Sequence, residues 1–298
     1  MYKTHFGLRE LPFGITPDTS FFLACSNYQE ALNTLLIAAK NGEGFIKIAG
    51  EVGVGKTLLC RKFMASLDKT FVTAYIPNPF LEPRTLMLAL ADELEIQLDK
   101  DVDQHQLLKS INHRLLILAR EGKRVLLCLD EAQAMPVETL EALRLLTNLE
   151  TGKRKLLQIV MFGQPELDRK LQHVSIRQLN QRIAFQYYLG PLTRDDMEFY
   201  VAHRLSVAGF TGSRLFDRGA IKALYKASGG VPRLVNILAH KSLMLAYGEG
   251  KQEVTTRYVK AAAKDTGAAR KRSRAWAWVA AATGLLAAGM SVGWAYFR

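Results

Sequence analysis

Residues 44–64 read GFIKIAGEVGVGKTLLCRKFM, and this stretch decides the fold. Residues 45–49 are an apolar run of strand length, and residues from 56 onward have helical character, with a glycine-rich turn between them. Gly50, Gly53 and Gly55 let successive backbone N–H groups turn inward at a helix amino terminus, a ready site for an anion. Gly50–Thr57 satisfies G-x-x-x-x-G-K-[ST] in the strand–turn–helix context that gives the pattern its meaning. ATP with Mg²⁺ is therefore the expected ligand. Gly50, Glu51, Val52, Gly53, Val54, Gly55, Lys56, Thr57 and Leu58 would line it, with Lys56 on the β- and γ-phosphates and the Thr57 hydroxyl on the metal.

Downstream, RVLLCLDEAQAM (124–135) carries a second buried run at 125–129 that ends in two acids. Carboxylates at the carboxyl end of a buried strand are costly unless they have a task. Asp130 is expected to hold the Mg²⁺ shell and Glu131 to polarise the attacking water, so hydrolysis is expected and not binding alone. A third run, KLLQIVMFGQPEL (155–167), ends at Gln164, an amide that could reach the water or γ-phosphate or else cap the next helix. A further strand is expected over 183–189. Arg182 stands before it, at a place from which a side chain could project to a neighbouring subunit; Arg177, one turn earlier, is the rival, and a surface ion pair is the ordinary alternative for both. Beyond Thr193 the pattern is helical, over 193–207, 217–228, 231–247 and 254–263. Arg233 opens the third of these behind Pro232, a favoured first-turn residue. A cation at the positive end of a helix is unfavourable unless an acid or a bound triphosphate offsets it.

These pieces in this order resemble the AAA+ ATPases. More narrowly the chain resembles the ExeA (general secretion pathway protein A) family, on the side of its MSHA-pilus biogenesis members. HFGLRELPFGITPDTSFFL (5–23), GEGFIKIAGEVGVGKTLLCRK (42–62), LDEAQ (129–133), GQPEL (163–167), LNQRI (179–183) and GGVPRLVNILAHKSL (229–243) carry the likeness. The resemblance implies a P-loop AAA+ α/β core with a parallel sheet, a small all-α lid, and a homo-oligomer. It puts Lys56 and Thr57 in Walker A, Asp130 and Glu131 in Walker B, and Gln164 at sensor 1. Arg182 falls at the arginine finger acting in trans and Arg233 at sensor 2, while Pro12, Phe13, Pro17 and Asp18 fall in a block that closes over the base. The implied domains are a family-specific block at 1–44, the core at 45–192, the lid at 193–263, a basic linker at 264–275 and a membrane helix at 276–297.

That last element also follows from the residues themselves. Residues 276–297 carry no charge, and a helix of that length spans roughly 33 Å, enough for a hydrocarbon core. All three tryptophans, Trp276, Trp278 and Trp294, lie near its ends with Tyr296 and Phe297, as interfacial aromatics do. Arg270, Lys271, Arg272 and Arg274 precede it, so residues 1–275 are expected on the cytoplasmic side, and the resemblance implies that the membrane is a bacterial inner membrane. Of the net charge of +12, +5 lies beyond residue 263, where six Lys or Arg stand against a single Asp, and +7 is left for residues 1–263.

A mildly basic globule without a base-reading motif does not call for a nucleic-acid partner; assembly proteins of a pilus or secretion apparatus are the expected ones. A DNA-associated regulator and a nucleotide-gated scaffold with little turnover are the other readings. Cys25, Cys60 and Cys128 are widely spaced, without a metal pattern, and point to a reducing compartment. MYKTHFGLRELPFG has no apolar run, so no secretory signal is expected.

Overall fold

A computed structural model describes residues 2–99, 101–147, 149–151 and 154–267. The expected membrane helix at 276–297 lies outside the described residues, as does the linker from residue 268. No helix among the described residues is long and apolar enough to cross a membrane. The chain divides into two compact units, residues 17–190 and residues 1–16 with 191 onward.

The first unit is built on five parallel strands: β1 (Phe45–Ala49), β2 (Phe71–Ile76), β3 (Arg124–Leu129), β4 (Leu157–Gly163) and β5 (Ile183–Tyr188). Their order across the sheet is β2-β3-β4-β1-β5. Parallel strands need crossovers, so both faces of the sheet are covered and the central strands become continuous apolar runs. β1 and β4 are buried at every residue, whereas β5 at the edge alternates half-buried and exposed positions.

α1 (Ser26–Asn41) leads into β1, and the crossovers include α2 (Lys56–Ala65), α3 (Pro83–Glu93), α4 (Gln104–Arg120) and α5 (Val137–Leu146). α4 shows why such segments form: Asp103 accepts the Gln106 N–H at 2.8 Å as an N-cap, and Leu107, Ile111, Leu115 and Leu118 fall on one buried stripe. Each such leucine contributes about 1.5–3 kcal/mol on burial. They meet Leu86 and Leu90 of α3 and the sheet face formed by Leu127, Leu129, Ile159 and Met161. Gln158, buried within β4, donates to the carbonyls of Ala39 (3.1 Å) and Glu43 (3.0 Å), so the one amide in that strand ties down the end of α1.

The second unit holds α6 (Arg194–Val207), α7 (Arg218–Ser228), α8 (Pro232–Gly248) and α9 (Thr256–Asp265). Thr193 and Asp196 form a reciprocal capping box on α6, Asp217 caps α7, and Pro232 opens α8. The sequence reading kept residues 1–44 together; the structure divides them and gives residues 1–16 to this helical unit. The cause is side-chain chemistry distant in sequence. Tyr2 Oη pairs with His240 Nδ1 at 2.8 Å, Phe13 meets Phe216 edge-on at 5.8 Å, and the buried Arg204 donates to the Pro12 carbonyl at 2.5 Å. Asn236 adds a bond to the Gly14 carbonyl at 3.0 Å.

Candidate nucleotide site

The glycine turn leaves β1 between two neighbouring strand ends. Gly50 N–H donates to the Gly163 carbonyl (3.1 Å), and Leu189 N–H, just past β5, donates to the Ala49 carbonyl (2.7 Å). A Cβ on Gly50 would sit 2.6 Å from the Leu189 carbonyl oxygen, so only glycine fits there. Gly53 (φ 81°) and Gly55 (φ 96°) adopt left-handed backbone, which an L side chain resists. Glu51 and Val52 are exposed at the loop's apex, Val54 is buried and Leu58 half-buried. Tyr28 of α1 donates its hydroxyl to the Val54 carbonyl and sets its ring beside Gly55, bracing the turn from outside.

Lys56 is buried, and its Nζ donates to the carbonyls of Gly50 (2.8 Å) and Glu51 (3.0 Å), inside the arc of the loop. Burial lowers its pKa, while Glu131, Asp130, Glu51 and Glu166 act the other way. A cation held there by carbonyl dipoles is suited to exchange those partners for phosphate oxygens.

Asp130 follows directly on β3, buried, with its pKa raised by burial. The Thr57 hydroxyl and the Glu131 N–H (3.0 Å) both bond its carboxylate and oppose that rise. Tyr75 Oη stands 3.5 Å away, its own pKa pushed up to about 12, chiefly by burial. Thr57 and Asp130 thus meet over one point, a hydroxyl and a carboxylate of the kind that holds a hard cation. No group of three or more His, Cys, Asp or Glu among the described residues is placed to hold a metal. The pair therefore fits Mg²⁺ that arrives with phosphate oxygens and keeps its own waters.

Glu131 has φ 53°, the left-handed region, at a cost of order 1–3 kcal/mol for a residue with a Cβ. Two amides hold it there. Gln133 Nε2 donates to the Glu131 carboxylate, and Gln164 Nε2 donates to the same oxygen at 3.0 Å. Gln133 Oε1 accepts the Gln164 N–H at 3.0 Å, closing the triangle. Burial raises the Glu131 pKa, but the two amides and Lys56 outweigh it, and the carboxyl lies below the ordinary glutamate value. Gln164 therefore does not cap the helix that follows, which has no side-chain cap. Sequence reasoning assigned no role to Gln133, Tyr28 or Tyr75; the first lay within the quoted LDEAQ, where its spacing from the acids was the available signal.

The structure brings Gly50–Leu58, Asp130, Glu131 and Gln164 together in the first unit. Arg182 belongs to the same unit, half-buried, with Nη1 donating to the Arg144 carbonyl (3.3 Å) and Thr147 Oγ1 (3.2 Å) at the end of α5. Arg177 is exposed. Arg233 lies in the helical unit, exposed in the first turn of α8. Pro12 and Phe13 are buried in that helical unit; Pro17 and Asp18 belong to the first, where Asp18 caps the turn at Thr19–Phe21 and the Pro17 carbonyl accepts from Arg61.

Comparison with known proteins fits this arrangement. A sequence model of the AAA domain matches residues 39–171, the interval that holds the glycine turn, both acids and Gln164. General secretion pathway protein A of Aeromonas hydrophila is 39% identical over the whole of this chain. Residues 39–171 thus match the AAA domain, and the chain is similar over its whole length to the ExeA family. It spans 54% of the length of that relative. In fold it is similar to Pyrobaculum aerophilum Cdc6p, with TM-score 0.66 at 18% identity over 84% of this chain and 71% of the other. It is also similar to the ORC2 protein of Aeropyrum pernix, at 0.60 and 16% over 84% and 72%. The Thermotoga maritima RuvB branch migration motor gives 0.57 and 16% over 86% and 73%. These likenesses show the AAA fold of the chain.

Proposed function

We propose that this chain is a Mg²⁺-dependent ATPase of the ExeA family, anchored through residues 276–297 at the cytoplasmic face of a bacterial inner membrane. It would serve assembly of a type II secretion apparatus or an MSHA-like pilus. The observation that carries the reading is Glu131, ionised and aimed by two amides beside a buried lysine and a Thr57–Asp130 pair. A protein that only bound nucleotide would have no use for a strained, oriented carboxylate.

In this reading Lys56 leaves the loop carbonyls for phosphate oxygens, and the loop N–H groups complete the cradle. Thr57 and Asp130 would hold Mg²⁺, which supplies charge neutralisation on the phosphates. Glu131 accepts the proton of the attacking water, and Gln164 steadies that carboxylate. A cation from a second subunit stabilises the transition state, an effect worth about 10³–10⁵ in rate in other phosphoryl-transfer enzymes. The exposure of Arg177 favours it over Arg182, whose guanidinium is engaged within its own unit. The test is phosphate release by the full chain reconstituted in vesicles, with and without Mg²⁺. Turnover at the wild-type rate by Glu131→Gln would refute the assignment. Carbonate washing of the same vesicles tests the anchor, and crosslinking of the Glu131→Gln chain in its native membrane, followed by identification of the captured apparatus proteins, tests the partner.

A further inference from the structure

The nucleotide site makes no use of two helices of the second unit. α7 reads RGAIKALYKAS and carries Arg218, Lys222 and Lys226 four residues apart, all exposed and without an acid anywhere along the helix. α9 reads TRYVKAAAKD and exposes Lys260 and Lys264. The two helices start side by side. Phe216 and Val254 form a parallel bridge two residues before each begins, and a Cβ on Gly219 of α7 would touch the Thr256 hydroxyl of α9. Their buried stripes, Ala220, Ile221 and Leu224 on one and Tyr258, Val259 and Ala262 on the other, turn the cations outward.

Acids nearby are committed elsewhere. Asp217 caps α7 through the Ala220 N–H, Glu249 holds Arg257 (2.8 Å) and Tyr258 (2.8 Å), and Asp265 holds Lys241 (2.7 Å). Glu253 is the exposed acid at the edge of this face. Among the described residues, none of the five cations enters an ion pair. A side-by-side array of five unneutralised charges on two rigid helices repels itself, and costs stability unless an anionic surface offsets it.

We infer that this two-helix face rests on anionic lipid headgroups of the membrane that holds the chain's carboxyl end. The occupant is read from chain order. α9 ends at Asp265, and the sequence then runs through Arg270, Lys271, Arg272 and Arg274 into the uncharged residues 276–297. The inference rests on the anchored reading above. A short tether would keep the basic helices beside the bilayer, where each cation strengthens contact with an anionic leaflet about fivefold.

The test uses the full chain in vesicles of phosphatidylcholine alone and of phosphatidylcholine with phosphatidylglycerol. Acylation rates at individual lysines are read by mass spectrometry. Lys222, Lys226, Lys260 and Lys264 should react at least about fivefold more slowly on the anionic vesicles. Lys40, Lys69 and Lys123 of the first unit should keep their relative rates. The protection should vanish near 1 M salt, where the screening length falls to about 3 Å. The variant Arg218→Gln/Lys222→Gln/Lys226→Gln keeps good helix formers at exposed positions. It should weaken the contact roughly a hundredfold and return Lys260 and Lys264 to their rates on neutral vesicles. Equal rates on the two lipids, with the chain resisting a carbonate wash, would overturn the inference and leave the anchor standing. Release of the chain by the wash would overturn the anchor, and the lysine ratio before washing would still decide the face. Protection by duplex DNA on neutral vesicles, with none from phosphatidylglycerol, would overturn it in favour of a nucleic-acid surface.

Discussion

Replacing Gly50 with alanine exchanges a hydrogen for a methyl group at the most confined point of the glycine turn. The new Cβ would lie 2.6 Å from the Leu189 carbonyl oxygen and 3.0 Å from Val54 Cγ2. An ordinary carbon contact needs about 3.5 Å, so close to an ångström of movement is required against backbone and not a flexible side-chain tip. Two hydrogen bonds resist it, Gly50 N–H to Gly163 on one side and Leu189 N–H to Ala49 on the other. Overpacking of this kind costs about 1–3 kcal/mol, and a 1 Å shift of a positioned site can cost about 10²-fold in rate. We expect Gly50→Ala to lower the thermal midpoint of the core and to weaken ATP binding at least about tenfold. Gly190→Ala, one residue beyond the clash and with open space around its Cβ, should do neither. Circular dichroism and a fluorescent nucleotide titration are the assays. Equal midpoints and equal affinities for Gly50→Ala and wild type would refute the steric argument.

Gln133→Leu should reduce ATP turnover about tenfold or more, since hydrogen bonds to a charged group are worth roughly 1.5–3 kcal/mol and Glu131 would keep one amide of two. Because those amides lower the Glu131 pKa, the acid limb of the rate profile should move to higher pH; an unmoved limb would place Glu131 outside the proton transfer. Lys56→Met should abolish ATP binding without destabilising the core, as the buried charge is disfavoured where it stands. The wild-type lysine has a folded pKa below its unfolded one. The wild type should therefore gain stability relative to the methionine variant as pH rises toward 10.5, and melting across that range checks the sign. Arg182→Ala should lower the melting point by removing the cap on α5, whereas Arg177→Ala should leave melting unchanged and lower oligomer-dependent turnover. Mixing each variant with Glu131→Gln chains separates an effect in cis from one in trans.

What could be read in advance was what short-range chemistry dictates. The glycines, Lys56 and Thr57 lie in one turn, and Asp130 and Glu131 sit at a strand end whose apolar run announces it, so local sequence places them. The four helices of the second unit likewise follow from their caps and apolar stripes, with Thr193 and Asp217 marking two starts. The triangle of Glu131, Gln133 and Gln164 was not legible, because it forms only when β3 and β4 lie side by side. Nor was the division of residues 1–44, since Tyr2, Pro12 and Phe13 find their partners at His240, Arg204 and Phe216. β2 and the helices α3 and α4 carried no chemical motif, and it is their packing against the sheet that shows their part.

That exchange of partners between the first residues and the far end of the chain bears on how the protein is made. Residues 17–190 can collapse on the ribosome as they emerge, but Tyr2, Phe6 and Phe13, at most 4% exposed when folded, must wait for residues from 191 onward. At about 5–20 residues per second, the wait for partners at Arg204, Phe216 and His240 is roughly ten to fifty seconds. Throughout it Tyr2, Phe6 and Phe13 present aromatic side chains to solvent, a stretch of time in which a chaperone has something to hold.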